Sequence, residues 1–254
     1  MKTFDVGQLH VKLLKDRDEL GRVSAADAGN AIVRILEEKG KINIIFASAP
    51  SQNEFLKYLS QDSRIDWSKV HAMNMDEYVG IDPEHPAGFG NYIIRNIYSK
   101  VHPGTVELYN PLAEDPQAEC DRYAEELAKF PPDIIFYGIG ETCHLAFNDP
   151  PVADFQDPVD VKLVPLDEVT IQQQINDKCF EKLEDVPRTA YTITCPVIMR
   201  APLLFGMVPG KTKIDAIYNV LNAEISTQYP ATILREHPNA WLYIDEDSAS
   251  RLPL

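Results

Sequence analysis

The chain has 254 residues, of which 44% are hydrophobic, and its formal net charge at pH 7 is −15. This length and apolar content suffice for a full buried core, whereas the negative field opposes binding to the phosphate backbone of nucleic acid. We therefore do not expect nucleic acid as a partner. An anionic substrate would need basic groups concentrated around its binding site.

Targeting signals and metal motifs are not apparent in the sequence. The first twenty residues lack the apolar segment of a signal peptide, and no run approaches the roughly 18 apolar residues of a membrane span. The cysteines form no C-x-x-C pair and stand far apart, at Cys120, Cys143, Cys179 and Cys195. We therefore expect a cytoplasmic protein without a membrane partner, a metal site or a disulfide framework.

The first predicted elements are a helix, a strand and a second helix. "SAADAGNAIVRILEEKG" predicts a helix that is capped by Ser24 and ends at Gly40. "KINIIFAS" predicts a buried strand, and Ser51 and Glu54 stand at capping-box spacing at the start of "SQNEFLKYL". Backbone N–H groups at that helix start can bind an anion, although this stretch by itself favours an ordinary strand-to-helix turn.

The same alternation continues to the end of the chain. "KVHAMNM" predicts a strand ending at Asp76, "DIIFYG", "AYTITCP", "LLFGMVPG" and "AWLYID" predict further strands, and "FGNYIIRNIY", "DPQAECDRYAEELAKF" and "KTKIDAIYNVL" predict helices. This order is typical of an α/β protein whose largely parallel sheet is covered on both faces. Because ligands bind beyond the carboxyl ends of such strands, we expect "SAPSQ", "MDEYVG" and "GIGETCHLAFNDP" to form one site.

Two of these stretches carry candidate acid–base residues. Asp76 and Glu77 are adjacent, so one can face a cleft as a general base while the other makes structural hydrogen bonds. His144 lies in a glycine-bearing loop, where Asp149 can orient its ring if the loop folds back. Cys143 precedes this histidine directly, and because neighbours on an extended loop diverge, a cysteine nucleophile is disfavoured.

A third stretch, "VPGKTKIDA", carries two lysines in the first turn of a predicted helix. Lys211 and Lys213 oppose the helix dipole there. A bound anion would relieve that conflict, although two solvated lysines would explain the pattern as well. The "GIG" glycines are a weak signal, because Cys143 occupies the last position of a G-x-G-x-x-G pattern.

Taken in order, "MNMDEYVG", "GIGETCHLAFNDP", "VPGKTKIDA" and "ATILREHPNAWLYIDEDSA" resemble the glucosamine-6-phosphate deaminase/isomerase family from about residue 20 onward. The resemblance implies a Rossmann-like three-layer α/β sandwich with a mainly parallel central sheet. Because the sequence shows no linker, low-complexity stretch or internal repeat, we expect a single domain over residues 1–254. The resemblance implies that this domain is of the sugar-phosphate isomerase/deaminase type, with a lid at about residues 163–187. The sequence also allows a homo-oligomer as a partner arrangement.

The chemistry implied by this resemblance needs no metal or cofactor. The ring of an amino-sugar 6-phosphate opens, a proton leaves C2, and ammonia departs as the ketose phosphate forms. Asp76 matches the C2 base, His144 the ring-opening histidine and Asp149 its supporting acid. The positions that match the phosphate-binding part are Ser48, Ala49, Ser51, Gly138 and Lys213.

The chain departs from the family pattern at several of these positions. Thr142 stands where relatives carry an acid, and Cys143 and Ala49 stand where they carry glycine. The lid stretch "PLDEVTIQQQINDKCF" has no phosphate-binding arginine, and Ile171 or Gln172 lies near its position. A threonine cannot stabilise an imidazolium by charge, so His144 is expected to be a weaker base unless Glu141 or Asp149 compensates.

Two alternatives to the deaminase reaction therefore stay open at the level of sequence. The first is a sugar-phosphate-binding or regulatory protein that has lost catalysis. The second is a 6-phosphogluconolactonase-like hydrolase with His144 as base. The lactonases share the fold, but they usually lack "NMDEYVG" and the "AFN-acid-Pro" ending, which this chain retains.

Overall fold

The computed structural model describes residues 1–176 and 178–253. The strands are, in chain order, β1 (Lys2–Val6), β2 (Leu9–Leu14), β3 (Ile42–Phe46), β4 (Val70–Asn74), β5 (Asp76–Tyr78), β6 (Thr105–Glu107), β7 (Ile134–Tyr137), β8 (Val161–Pro165), β9 (Thr189–Ile193), β10 (Leu203–Val208) and β11 (Ala240–Asp245). Residue 177, inside the predicted lid, and residue 254, the last of the predicted domain, lie outside the described residues.

The helices alternate with these strands. They are α1 (Arg17–Lys39), α2 (Asn53–Leu59), α3 (Phe89–Ile93), α4 (Ser99–Val101), α5 (Pro116–Lys129), α6 (Glu168–Asn176), α7 (Cys195–Arg200) and α8 (Ile214–Asn222). A π-helical segment, Ile94–Tyr98, joins α3 to α4. Within the described ranges, none of these helices combines the length and apolar character needed to cross a membrane.

A central sheet with the order β1-β2-β11-β10-β7-β3-β4-β6 organises the fold. Its strand pairs are parallel except for the β1–β2 hairpin. The prediction of an α/β protein with a mainly parallel sheet is thereby confirmed. The N-terminal hairpin itself was not predicted from the sequence.

Both faces of this sheet are buried, which explains the near-continuous apolar strands. Successive side chains of a strand point to opposite faces. In β3, Ile44 and Phe46 join the core that packs against α1 and α2, whereas Ile45 joins the core on the opposite face. In β7, Ile134 and Ile135 divide in the same way.

A second, antiparallel sheet has the order β5-β9-β8 and packs on its own small core. The prediction that "KVHAMNM" runs as one strand to Asp76 was wrong, because β4 ends at Asn74 and Asp76 begins β5, opposite Thr192. The predicted strand "AYTITCP" exists as β9, but it belongs to this smaller sheet. Hydrogen-bond partners, which sequence periodicity does not encode, decide between the two sheets.

The first helix ends where the sequence predicted but begins earlier. Gly40 adopts a left-handed φ of 73° and closes the helix. The true N-cap is Asp16, whose carboxylate accepts a hydrogen bond from the backbone N–H of Glu19 at 2.9 Å. Ser24 is buried inside the helix, where its hydroxyl donates to the carbonyl of Leu20. Ser24 was therefore wrongly assigned as the cap.

The predicted capping box at Ser51 and Glu54 was also wrong. Pro50–Gln52 forms a 3₁₀ turn, α2 begins only at Asn53, and no side chain caps either element. The carboxylate of Glu54 turns instead toward α1, where it accepts two hydrogen bonds from Arg17. A long-range ion pair thus overrides the local capping pattern.

The arrangement of the central strands creates the site described below. β10, β7, β3 and β4 are consecutive neighbours and run parallel. Because the carboxyl ends of parallel strands meet at one edge, the segments that follow these strands converge there. These segments begin at Ala47, Met75, Gly138 and Pro209.

We predict that Gly21→Ala destabilises the protein although alanine is the better helix former. A Cβ at residue 21 would lie 2.4 Å from Cβ of Glu54 and 2.6 Å from its carbonyl carbon, because α1 and α2 touch at this glycine. Overpacking of this kind costs about 1–3 kcal/mol or more, which exceeds the gain of about 1 kcal/mol in helix propensity.

Urea unfolding of Gly21→Ala measures this balance. Arg34→Ala, at an exposed position of the same helix, is the matched control and should change the free energy of unfolding by about 0.5 kcal/mol or less. A Gly21→Ala protein as stable as the unmodified chain would contradict the close helix contact.

Candidate active site

A cleft opens at the carboxyl edge of the central sheet, where the four convergent segments meet α6. It is lined by most of the residues that the motifs singled out. These are Ser48, Ala49, Ser51, Asp76, Gly138, His144 and Lys213. The three polar clusters predicted to share one site therefore do lie together.

Asp76 lies at the start of β5, and its side chain reaches the cleft wall with 7% of the residue exposed. Burial raises the pKa of its carboxyl well above the ordinary value, and the neighbouring Glu77 carboxylate raises it further. The backbone is held by Asn74, whose side-chain amide donates to the carbonyl of residue 76 at 2.8 Å. A desolvated carboxylate with a raised pKa is suited to accept a proton.

Glu77 has a different role from its neighbour. Its carboxylate accepts the backbone N–H groups of Tyr78, Phe89 and Gly90 at 2.9, 3.0 and 2.7 Å. Two of these donors belong to the first turn of α3, so Glu77 fixes the start of that helix. The adjacent acids thus divide into one cleft residue and one structural residue, the division considered for them from the sequence.

His144 is held by a buried carboxylate. Its Nδ1 lies 2.7 Å from Oδ1 of Asp149, so the loop does fold back over these five residues. The hydroxyls of Thr142 and Thr170 donate to the same Oδ1 at 2.7 and 2.8 Å. Asp149 therefore accepts the Nδ1 proton, which leaves Nε2 as the basic nitrogen of the ring.

Asp149 stays ionised across the range in which enzymes work. Burial tends to raise its pKa, but the charge and hydrogen bond of His144 and the two threonine hydroxyls outweigh burial and lower the pKa to about 2. The hydroxyl of Thr142 also lies 2.8 Å from Nδ1 of His144. Thr142 thus takes part in the network through its hydroxyl, and Asp149 supplies the charge that Thr142 lacks.

The loop backbone explains the glycine and cysteine positions. A Cβ at Gly140 would lie 1.9 Å from Nε2 of His144, so the ring occupies the space above a residue without a side chain. Cys143 adopts a left-handed φ of 63°, a conformation that favours glycine. Its thiol is buried, donates to the carbonyl of Ala216, and has a pKa raised to about 12 by burial. These properties do not suit a nucleophile.

The same cleft carries the anion-binding candidates. Ser48 is 5% exposed, and its Oγ is buried without a hydrogen-bond partner among the described residues. Ser51 Oγ accepts a hydrogen bond from the Gln52 side chain at 2.9 Å. Lys213, in the 3₁₀ turn before α8, is 5% exposed and lines the cleft, whereas Lys211 is exposed near Asp247. The structure thus distinguishes the two lysines, because Lys213 faces the cleft and Lys211 faces solvent.

Helix α6 contributes residues that the sequence did not identify. Ile171 is fully buried in the small core and Gln172 is exposed, so neither faces the cleft. Gln173 and Gln174 line it instead, and Oε1 of Gln173 accepts the backbone N–H of residue 141. Three glutamines in a row carry no periodic signal, so only the phase of the helix could decide which of them face the cleft.

Comparisons with known proteins identify relatives of this chain. The model of the family "Glucosamine-6-phosphate isomerases/6-phosphogluconolactonase" matches residues 15–243. The glucosamine-6-phosphate deaminase of Thermoanaerobacter pseudethanolicus is 31% identical over 232 residues, which span 89% of this chain and 90% of that protein. That of Lactobacillus delbrueckii subsp. bulgaricus is 29% identical over 246 residues, spanning 96% and 100%.

Solved structures extend the comparison to the fold. A monomeric glucosamine-6-phosphate deaminase superposes with a TM-score of 0.86 at 25% identity and covers 94% of this chain and 98% of that one. A 6-phosphogluconolactonase from Shewanella baltica superposes with a TM-score of 0.77 at 15% identity, covering 92% and 97%. The second similarity is one of fold alone.

We predict that Asp76→Asn stabilises the protein, and increasingly so as the pH rises. Because the pKa of Asp76 is higher in the folded than in the unfolded chain, its stabilising contribution is complete below the unfolded value and is lost as the pH rises through the folded value. The variant should match the unmodified protein at about pH 4 and exceed it at about pH 8, as measured by urea unfolding at both pH values.

Glu77→Gln is the matched comparison at the adjacent position. Its side chain keeps one acceptor oxygen for the three backbone N–H groups that Glu77 binds, so the variant should be less stable by about 1–3 kcal/mol at about pH 4. Burial also raises the pKa of Glu77, so this comparison is made at the lower pH, where the buried charge adds no penalty. Destabilisation of Asp76→Asn at high pH would contradict the assignment of this residue as a desolvated cleft carboxylate.

Proposed function

Because the chain belongs to the glucosamine-6-phosphate isomerase/6-phosphogluconolactonase family, we propose that it converts an amino-sugar 6-phosphate to a ketose phosphate and ammonia. The substrate is glucosamine 6-phosphate or its galactosamine epimer. The observation that carries this proposal is the presence of two separate proton acceptors, Asp76 and His144, in one cleft. An aldose–ketose conversion needs proton transfers at two places on the sugar.

His144 acts first, on the closed ring. Its Nε2 takes the proton of the anomeric hydroxyl and returns a proton to the ring oxygen, which breaks the bond between C1 and that oxygen. The imidazolium formed in between is stabilised by the ionised Asp149 at 2.7 Å. The network of Thr142 and Thr170 around Asp149 keeps the ring oriented through both transfers.

Asp76 acts next, on the open chain. Its carboxylate removes the proton from C2, and the C1 oxygen takes a proton from the C2 ammonium group, which gives an enolamine across C1 and C2. The protonated Asp76 then delivers its proton to C1. The resulting iminium ion at C2 reacts with water to yield the ketone and ammonium, so Asp76 returns to its carboxylate form. Burial, which raises the pKa of Asp76, makes its carboxylate a stronger base for this step.

The alternative of a binding protein without catalysis was motivated by Thr142, Ala49 and the missing lid arginine. Of these, Thr142 is the objection to the catalytic base. That objection loses its weight because Asp149 contacts Nδ1 of His144 directly and supplies the missing charge. Lactone hydrolysis requires one base to activate water, and it makes no use of a second buried carboxylate at Asp76. The deaminase/isomerase reaction uses both proton acceptors of the cleft, Asp76 and His144.

The remaining features of the proposal concern the surroundings of the site. We place the protein in the cytoplasm, with a sugar phosphate as its small-molecule ligand and no nucleic-acid or membrane partner, which suits the net charge of −15. Residues 163–187 serve as a lid over the single domain of residues 1–254. The position of Gln173 and Gln174 at the cleft supports this role for α6. A homo-oligomer remains a prediction.

We predict that Asp76→Asn and His144→Ala each lower kcat at least a hundredfold, because general acid–base groups contribute about 10²–10⁴-fold. The assay measures ammonia and ketose phosphate released from glucosamine 6-phosphate and galactosamine 6-phosphate. Cys143→Ala is the control and should keep kcat within about threefold, since the thiol takes no part.

The pH profile gives a second readout of the same proposal. Asp76 must be ionised to act, so activity falls as the pH drops through its raised pKa, and this acidic limb lies above the range of an ordinary carboxyl. Two results would refute the proposed reaction. One is that 6-phosphogluconolactone is hydrolysed faster than either amino-sugar phosphate is converted, and the other is an Asp76→Asn enzyme with full activity.

A further inference from the structure

The cleft holds few cations for a phosphate dianion. Among the described residues that line it, the basic side chains are Arg17 and Lys213, apart from the catalytic candidate His144. The family resemblance implies an arginine in the lid, but α6 carries none between Glu168 and Asn176. Since the whole chain carries a net charge of −15, phosphate binding depends on these two groups.

Arg17 is the first residue of α1, and its guanidinium is fixed at the cleft wall. Its Nε and Nη2 donate to the carboxylate of Glu54 at 3.2 and 2.9 Å, and Nη2 also donates to the carbonyl of Pro50 at 2.8 Å. The third nitrogen, Nη1, makes no hydrogen bond among the described residues. It lies 3.8 Å from the point where a Cβ on Gly210 would stand.

These contacts locate the guanidinium between two anion-binding segments. Pro50 precedes Ser51, and Gly210 begins the turn that carries Lys213. Ser48, whose buried hydroxyl has no partner among the described residues, lines the same cleft. A buried hydroxyl left without a partner costs free energy that a bound anion would recover.

We propose that Arg17 binds the substrate phosphate through Nη1, together with Lys213 and the hydroxyl of Ser48. The inference rests on the proposed sugar-phosphate function and names a binding residue for it. Glu54 acts as a positioning residue, because it holds the guanidinium so that little side-chain entropy is lost when phosphate binds. The guanidinium that binds the phosphate therefore belongs to the packed helix α1. Phosphate binding then does not require an arginine from the lid.

Arg17 could instead serve only to join α1 to the loop at Pro50. Two of its three nitrogens suffice for that purpose, and 41% of its side chain remains exposed. A purely structural role predicts that loss of Arg17 and loss of Glu54 have equal effects on stability and on ligand affinity. A phosphate-binding role predicts that the two losses lower stability similarly, whereas loss of Arg17 weakens ligand affinity more than loss of Glu54 does.

The test measures the affinity of the intact protein for inorganic phosphate and for glucose 6-phosphate by calorimetry, with KM and kcat for glucosamine 6-phosphate alongside. Arg17→Gln should weaken phosphate binding about tenfold to a hundredfold, the usual range for a hydrogen bond between charged groups. KM should rise by a similar factor while kcat changes less than about threefold. Arg17→Lys, which keeps the charge but loses the fork, should be intermediate.

Two controls separate binding from folding. Arg22→Gln lies on the same helix, where Arg22 stands 3.9 Å from Glu19, and should leave phosphate affinity unchanged. Glu54→Gln should lower the melting temperature about as much as Arg17→Gln but weaken phosphate binding far less. Equal phosphate affinities for Arg17→Gln and Arg22→Gln, or equal losses for Arg17→Gln and Glu54→Gln, would overturn the inference.

Failure of the proposed function has a different signature. Phosphate binding that depends on Arg17, in a protein that releases no ammonia from either amino-sugar phosphate, would support this inference and refute the proposed reaction. Normal turnover with phosphate affinity independent of Arg17 would refute the inference alone. Absence of any phosphate or sugar-phosphate binding in the unmodified chain would refute both.

Discussion

The parallel pairing of β10, β7, β3 and β4 is the constraint on which the site depends. Each strand is buried on both faces, and each ends at the same edge of the sheet. The segments that follow can therefore carry glycines, hydroxyls, acids and a histidine without disturbing the core. Segments distant in sequence meet in one cleft because four neighbouring strands share a direction.

The cleft concentrates features that cost folding free energy. The carboxylate of Asp76 is buried, the hydroxyl of Ser48 has no partner among the described residues, and Cys143 and Ala146 adopt left-handed backbone conformations. Such strain and desolvation persist when the surrounding structure over-determines them. Their clustering at one edge of an otherwise well-packed fold is what a site built to bind and react requires.

The histidine loop illustrates why a substitution must be judged in three dimensions. Compared letter by letter, Thr142 removes a charge beside His144. In the folded loop, Asp149 contacts the same ring nitrogen, and Thr142 donates a hydrogen bond to that carboxylate. One acid and one hydroxyl thus form a connected network, and the imidazole retains an ionised partner. Arg17 illustrates the same rule for positive charge, because α6 carries no arginine whereas α1 places one at the cleft wall.

The sequence by itself determined the fold class, the family and the chemistry-bearing loops. Apolar strands alternating with amphipathic helices dictate a covered parallel sheet, and the residues with acid–base chemistry, among them Asp76 and His144, follow its strands. Only the tertiary structure decided that Asp76 belongs to a second sheet, that Glu54 pairs with Arg17, and which side chains of α6 face the cleft. Local patterns report burial and periodicity, whereas partners distant along the chain are chosen by packing and by charge.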